Sequence, residues 1–74
     1  MNSMVDSKSK ALEIHMNMTT KNGLLPFSER LKQSKIDSID YAERKLVNSI
    51  KLDDKLYWKM VIKYLNKIWE ILQY

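Results

Sequence analysis

The chain has few side chains able to do covalent chemistry. It contains no cysteine and a single histidine, His15. A hydrolytic triad needs a nucleophile, a base and a group that orients the base, and one imidazole on a segment of ambiguous secondary structure supports such a site poorly. We therefore interpret His15 as a surface or half-buried histidine without a catalytic role.

An acidic cluster is the next candidate. Asp37, Asp40 and Glu43 are three residues apart, a spacing that lines one edge of a helix and offers oxygen ligands to a hard cation. A structural role explains them better, because acidic residues stabilise the first turns of a helix and two basic residues follow directly. We interpret the cluster as the start of a helix that holds no metal.

Asp53 and Asp54 form an acidic pair that suits a helix N-terminus, where a carboxylate accepts hydrogen bonds from free amides. A paired-acid active site would instead hold its two carboxylates apart across a cleft. With one glycine in the chain, no loop can cradle a phosphate group. The sequence thus predicts a protein that is not an enzyme and has no cofactor or small-molecule substrate.

Length and composition indicate a single domain over residues 1–74, with residues 1–8 expected to be disordered. A domain of this size buries only about 60% of the surface that its unfolded chain exposes. Without cysteines, a partner or a second subunit is the remaining source of stability. The segment MNSMVDSKSK lacks the apolar core of a secretion signal, so we expect a cytoplasmic protein.

The last stretch, residues 52–74, positions most of the large side chains. It holds five of the seven aromatic residues and predicts a long amphipathic C-terminal helix. Its apolar residues cover about half of the helix circumference at 3.6 residues per turn. The apolar face comprises Tyr57, Trp58, Val61, Ile62, Tyr64, Leu65, Ile68, Trp69, Ile71 and Leu72. The opposite face carries a lysine stripe, which is Lys55, Lys59, Lys63 and Lys67.

The rest of the chain predicts an all-α bundle of three to four helices. Residues 26–33 form a short helix behind Pro26, and residues 37–51 form a second helix that Asp37 caps. We favour a helix for residues 11–20, although the alternation of apolar and polar side chains there also fits a strand. The apolar face expected for the helix at 37–51 is Ile36, Ile39, Ala42, Leu46, Val47 and Ile50.

A face as wide as that of the last helix exceeds what one neighbouring helix usually covers. We therefore expect a protein–protein interaction module, a regulator or inhibitor that docks this face onto another protein or onto a second copy as a homodimer; the regulatory role rests on analogy with proteins of this size. Aromatic residues are common at energetic hot spots, and lysines steer association. The expected anchors are Trp58, Tyr64, Leu65, Ile68 and Trp69, and the expected steering residues are Lys59, Lys63 and Lys67.

Two alternatives stay open, both less favoured. The net charge of +4 and the lysine stripe would suit a nucleic-acid-binding protein, whose affinity falls steeply with salt. Lysine lacks the planar fork with which arginine reads guanine, and the chain has only two arginines. Lysines opposite tryptophan and leucine would also suit a helix on a membrane surface. A membrane-spanning helix is excluded, because a lysine interrupts every turn.

Overall fold

A computed structural model of the chain describes residues 3–72, with side chains from Asp6 onward. The described residues form three helices, α1 (Ser3–Lys21), α2 (Phe27–Asn48) and α3 (Leu52–Ile71). Each helix packs against the other two, with α2 antiparallel to its neighbours. The predicted all-α bundle is confirmed, with three helices in the described part of the chain. Positions 73 and 74 of the predicted last helix lie outside the described residues.

Helix α1 settles the ambiguity at residues 11–20, which are helical. It begins at Ser3, inside the stretch for which the sequence predicts disorder; residues 1 and 2 of that stretch lie outside the described residues. Ser7, Ala11 and Ile14 are spaced three to four apart and are buried, so the helix has a tertiary reason to extend toward the N-terminus. Asp6 lies in its first turn, where a carboxylate is favourable.

Side chains from α2 close the C-terminal end of α1. The last carbonyls of a helix have no partner inside the helix. Ser34 Oγ donates a hydrogen bond of 3.1 Å to the Met18 carbonyl, and Arg30 Nε donates one of 2.7 Å to the Thr19 carbonyl. These bonds fix where α2 starts relative to α1.

Helix α2 is continuous, so the predicted division into helices at 26–33 and 37–51 was wrong. No proline or glycine lies between Phe27 and Asn48. The sequence prediction took Asp37 for a cap, but its carboxylate accepts hydrogen bonds from Asn22 (3.1 Å) and Gln33 (2.9 Å) in the middle of the helix. The contact with Asn22 outweighs the tendency of aspartate to start a helix at its own position.

The core joins large side chains of α3 to small side chains of α1 and α2. Val61, Leu65 and Trp69 lie four residues apart on α3 and are buried. Val61 and Leu65 share a buried cluster with alanines of α1 and α2, and Trp69 bonds to a serine of α2. Small buried side chains allow the helix axes to approach closely. The small buried residues of α1 and α2 are Ser7, Ala11, Ser34, Ser38 and Ala42.

The face that the sequence assigned to the core at residues 37–51 was wrong for three of its six residues. Ala42 is buried, but Ile36, Val47 and Ile50 are 53%, 81% and 92% exposed. Burying Ser34, Ser38 and Ala42 turns Ile36 and Val47 toward solvent on the opposite side of the helix, and Ile50 lies beyond its end.

Helix α3 starts at Leu52, so its N-cap lies two residues before the first residue of the acidic pair. Lys51 occupies the N-cap position, and no side chain caps the helix. Asp53 and Asp54 lie in the first turn, where they interact with the helix dipole without capping, which corrects their predicted role. No described helix combines the length and the apolarity needed to cross a membrane.

Candidate partner-binding surface

Two of the five predicted anchors lie in the core. Leu65 is fully buried and Trp69 is 5% exposed. The Trp69 indole N–H donates a hydrogen bond of 3.1 Å to Ser38 Oγ, so its polar atom is satisfied inside the bundle. In the folded chain neither side chain presents a surface that a partner could contact.

The Trp69 ring also packs against the single histidine. The two ring centroids are 4.7 Å apart in an edge-on arrangement. His15 Nδ1 is buried and has no hydrogen-bond partner among the described residues. Burial lowers the pKa of His15 below its usual value, because the charged imidazolium loses hydration there.

This lowered pKa predicts a pH-dependent stability. In the unfolded chain His15 takes up a proton near pH 6.5, whereas the folded chain resists protonation until a lower pH. The contribution of neutral His15 to the free energy of unfolding should therefore be complete above pH 6.5 and should decrease as the pH falls toward the pKa of the folded state. Urea denaturation between pH 5 and 8 measures this slope. In His15→Gln, which does not titrate, the slope should vanish; an unchanged slope would contradict the assignment.

A third anchor, Trp58, is half-buried within an aromatic cluster of its own chain. Its ring lies 5.3 Å from the Tyr57 ring and 6.2 Å from the Tyr41 ring, both edge-on. Such pairs stabilise the fold beyond the area that they bury. Trp58 thus helps to join α2 to α3, and a partner could reach only part of its surface.

The last two anchors, Tyr64 and Ile68, line an open groove between α1 and α3. Leu12 of α1 and Ile71 at the end of α3 complete its walls, and the groove encloses about 200 Å³ with an almost wholly apolar lining. Leu12 is 52% exposed and Ile71 is 76% exposed. We call this feature the α1–α3 groove.

Lysines stand at both sides of the α1–α3 groove. Lys8 and Lys67 line it together with the apolar residues. Lys8 Nζ is 5.4 Å from the centroid of the Tyr64 ring, a cation–π contact that holds the charge beside the apolar walls. The groove therefore combines apolar area with positive potential.

Sequence reasoning missed the contribution of α1. The sequence favours a helix for residues 11–20 and leaves a strand open, and neither interpretation assigned Leu12 to a binding surface. As a helix, the segment turns Leu12 and Met16 away from the buried Ile14. Their four-residue spacing was the signal for a second apolar stripe.

The lysine stripe is exposed along its whole length. Lys55, Lys59, Lys63 and Lys67 all face solvent. Within the described part of the chain, none of them belongs to an ion pair, because the two pairs found there join Lys10 to Glu13 and Arg44 to Asp40. Three of these lysines are predicted steering residues, and Lys67 reaches the groove directly.

Two members of the acidic cluster of α2, Asp37 and Asp40, interact with side chains of the chain itself. Asp37 accepts two side-chain hydrogen bonds, first from Asn22 and then from Gln33, and these lower the pKa of its carboxyl group. Asp40 pairs with Arg44 at 3.1 Å. Among the described residues no three histidine, aspartate or glutamate side chains are grouped to hold a metal ion.

Comparison of the chain with protein-family models, with curated proteins and with solved structures finds no match. Among the surfaces described above, the α1–α3 groove is where predicted anchors and lysines lie together.

Proposed function

We propose that this protein is a non-enzymatic module of the cytoplasm that regulates or inhibits another protein by binding it in the α1–α3 groove. The supporting observation is the groove itself, with walls of Leu12, Tyr64, Ile68 and Ile71. Exposed aliphatic and aromatic walls offer the apolar area that drives association.

The chemistry of the groove favours an acidic amphipathic helix as the partner. Two helices running side by side leave a furrow that accepts a third helix through residues at every third or fourth position. Lys8 and Lys67 would face acidic side chains at the edges of such a helix. Lys59 and Lys63 lie on the same helix as Lys67 and would raise the association rate.

The test uses a fluorescent synthetic helix with leucines on one face and glutamates on the other. Fluorescence anisotropy should detect its binding, and Leu12→Glu should weaken it at least tenfold, or about 1.4 kcal/mol, because a carboxylate then lies among apolar walls and acidic groups. Leu56→Glu is the matched control, since Leu56 is 51% exposed against 52% for Leu12 and lies outside the groove. It should bind the helix as the wild type does.

Equal losses in Leu12→Glu and Leu56→Glu would contradict the proposal, as would equal affinity for a helix carrying lysines instead of glutamates.

A second candidate function is binding of a nucleic-acid phosphate backbone, which the exposed lysine stripe favours. Labelled duplex DNA in the same titration distinguishes the two. This alternative would be supported by a DNA affinity that falls steeply from about 50 to 200 mM salt and is unchanged in Leu12→Glu.

A further inference from the structure

The outer face of α2 carries a surface that neither the core nor the α1–α3 groove uses. Two isoleucines form its centre: Ile36 is 53% exposed and Ile39 is half-buried. All the residues that line this shallow depression belong to α2. We call it the α2 strip, which is Lys32, Lys35, Ile36, Ile39, Asp40 and Glu43.

The α2 strip is arranged symmetrically in sequence. Ile36 and Ile39 lie equally far from the midpoint between residues 37 and 38, and so do Lys32 and Glu43. At a rise of 1.5 Å per residue, each isoleucine is about 2 Å from that level along the axis, and Lys32 and Glu43 are about 8 Å from it. One side of the midpoint therefore carries the basic residue and the other side carries the acidic one.

We propose that a second copy of this chain covers the α2 strip, with the two α2 helices antiparallel and a two-fold axis at this midpoint. In a two-fold interface the same patch must complement itself. Here Ile36 of each copy lies level with Ile39 of the other, and Lys32 of each copy lies level with Glu43 of the other. The symmetry forms each contact twice.

The charges of the α2 strip favour a second copy of this chain as its partner. Within the described chain, the ion pairs found leave Lys32 and Glu43 unpaired, so both are available to a second copy. Successive residues of a helix are about 100° apart around its axis. Lys32 and Glu43 therefore lie at the two ends of the strip but close to its midline, so they face the second copy. Lys35 and Asp40 fall on opposite edges, where they stay in water, and Asp40 already pairs with Arg44.

The dimer should be weak and reversible. One pair of helices buries less than the roughly 800 Å² per partner of a standard stable interface. The α1–α3 groove contains no residue of α2, so it stays open in the dimer. Self-association is accordingly independent of the proposed partner binding.

Charge exchange tests the proposal. Lys32→Glu alone and Glu43→Lys alone each place like charges opposite one another at both ends of the strip. Sedimentation equilibrium should show association of the wild type and at least tenfold weaker association of each variant. An equimolar mixture of the two variants should recover the wild-type value, because the mixed dimer restores both ion pairs. Lys55→Glu is the matched control and should associate as the wild type does, because Lys55 is an exposed lysine of α3 outside the α2 strip and outside the expected steering residues.

Circular dichroism on the same samples checks that each variant is folded. A wild type that stays monomeric up to about 1 mM would overturn the proposal. It would also be overturned if either variant associated as well as the wild type, if Lys55→Glu weakened association as much, or if the mixture associated no better than its components.

Discussion

Replacing Trp69 by alanine is expected to lower the free energy of unfolding by about 3 to 5 kcal/mol. The indole is 5% exposed, packs against His15 and donates a hydrogen bond to Ser38. Its removal leaves a cavity and an unsatisfied hydroxyl acceptor at the same place. A chain of 74 residues has a total stability of about 4 to 11 kcal/mol, so this loss would leave many molecules unfolded.

Urea denaturation followed by circular dichroism measures the effect. Trp69→Phe is the control, because it keeps an aromatic ring and loses the N–H donor to Ser38. Its loss should be smaller, about 1 to 2 kcal/mol. If Trp69→Ala were as stable as the wild type, the indole would not belong to the core and would again be a candidate anchor for a partner.

Replacing Leu65 by alanine should lower the free energy of unfolding by about 2 to 5 kcal/mol, whereas Ile68→Ala should cost distinctly less. Leu65 is fully buried beside Val61, but Ile68 is half-buried and lines the α1–α3 groove. The two truncations remove aliphatic side chains of equal size from one helix. They therefore report how deeply each position is buried.

Thermal and urea unfolding of the two variants should agree in their order. A larger loss for Ile68→Ala than for Leu65→Ala would mean that α3 is rotated about its axis relative to the bundle described here. In that case the groove residues would form the core.

The fold class followed from the sequence because α3 has a clear period of 3.6 residues. Its wide apolar face needs two neighbours, and α1 and α2 both pack against it. The start of α1 and the continuity of α2 did not follow, because both depend on contacts between helices. Asp37 resembles a cap by its type, but it lies inside α2 and accepts hydrogen bonds from Asn22, just after α1, and from Gln33 of α2.

The buried face of α2 was hidden for a different reason. Large apolar residues at helical spacing predict a buried face, and here they indicated Ile36, Val47 and Ile50, which are exposed. The helix instead buries Ser34, Ser38 and Ala42, whose small size admits the large side chains of α3. A serine in the sequence does not indicate burial unless a partner of its hydroxyl group is known, and for Ser38 one such partner is the Trp69 indole.

The candidate site was predictable in part. Tyr64, Ile68 and Lys67 lie in the α1–α3 groove as members of the predicted set, whereas Leu65 and Trp69 turn into the core. The four apolar residues of this set lie on one arc of α3, and the sequence does not reveal which part of that arc the neighbouring helices cover. Leu12 was not predicted for the site, because the sequence does not reveal which face of α1 lies beside α3.

Amide chemical-shift mapping is the most direct test of binding in the α1–α3 groove. The uniformly ¹⁵N-labelled protein would be titrated with the unlabelled acidic amphipathic helix. The proposal predicts that the largest shifts cluster at Leu12, Tyr64, Ile68 and Ile71, with little change along α2. Shifts concentrated on the lysine stripe at Lys55 and Lys59, or on the outer face of α2, would show that the groove is not the binding surface.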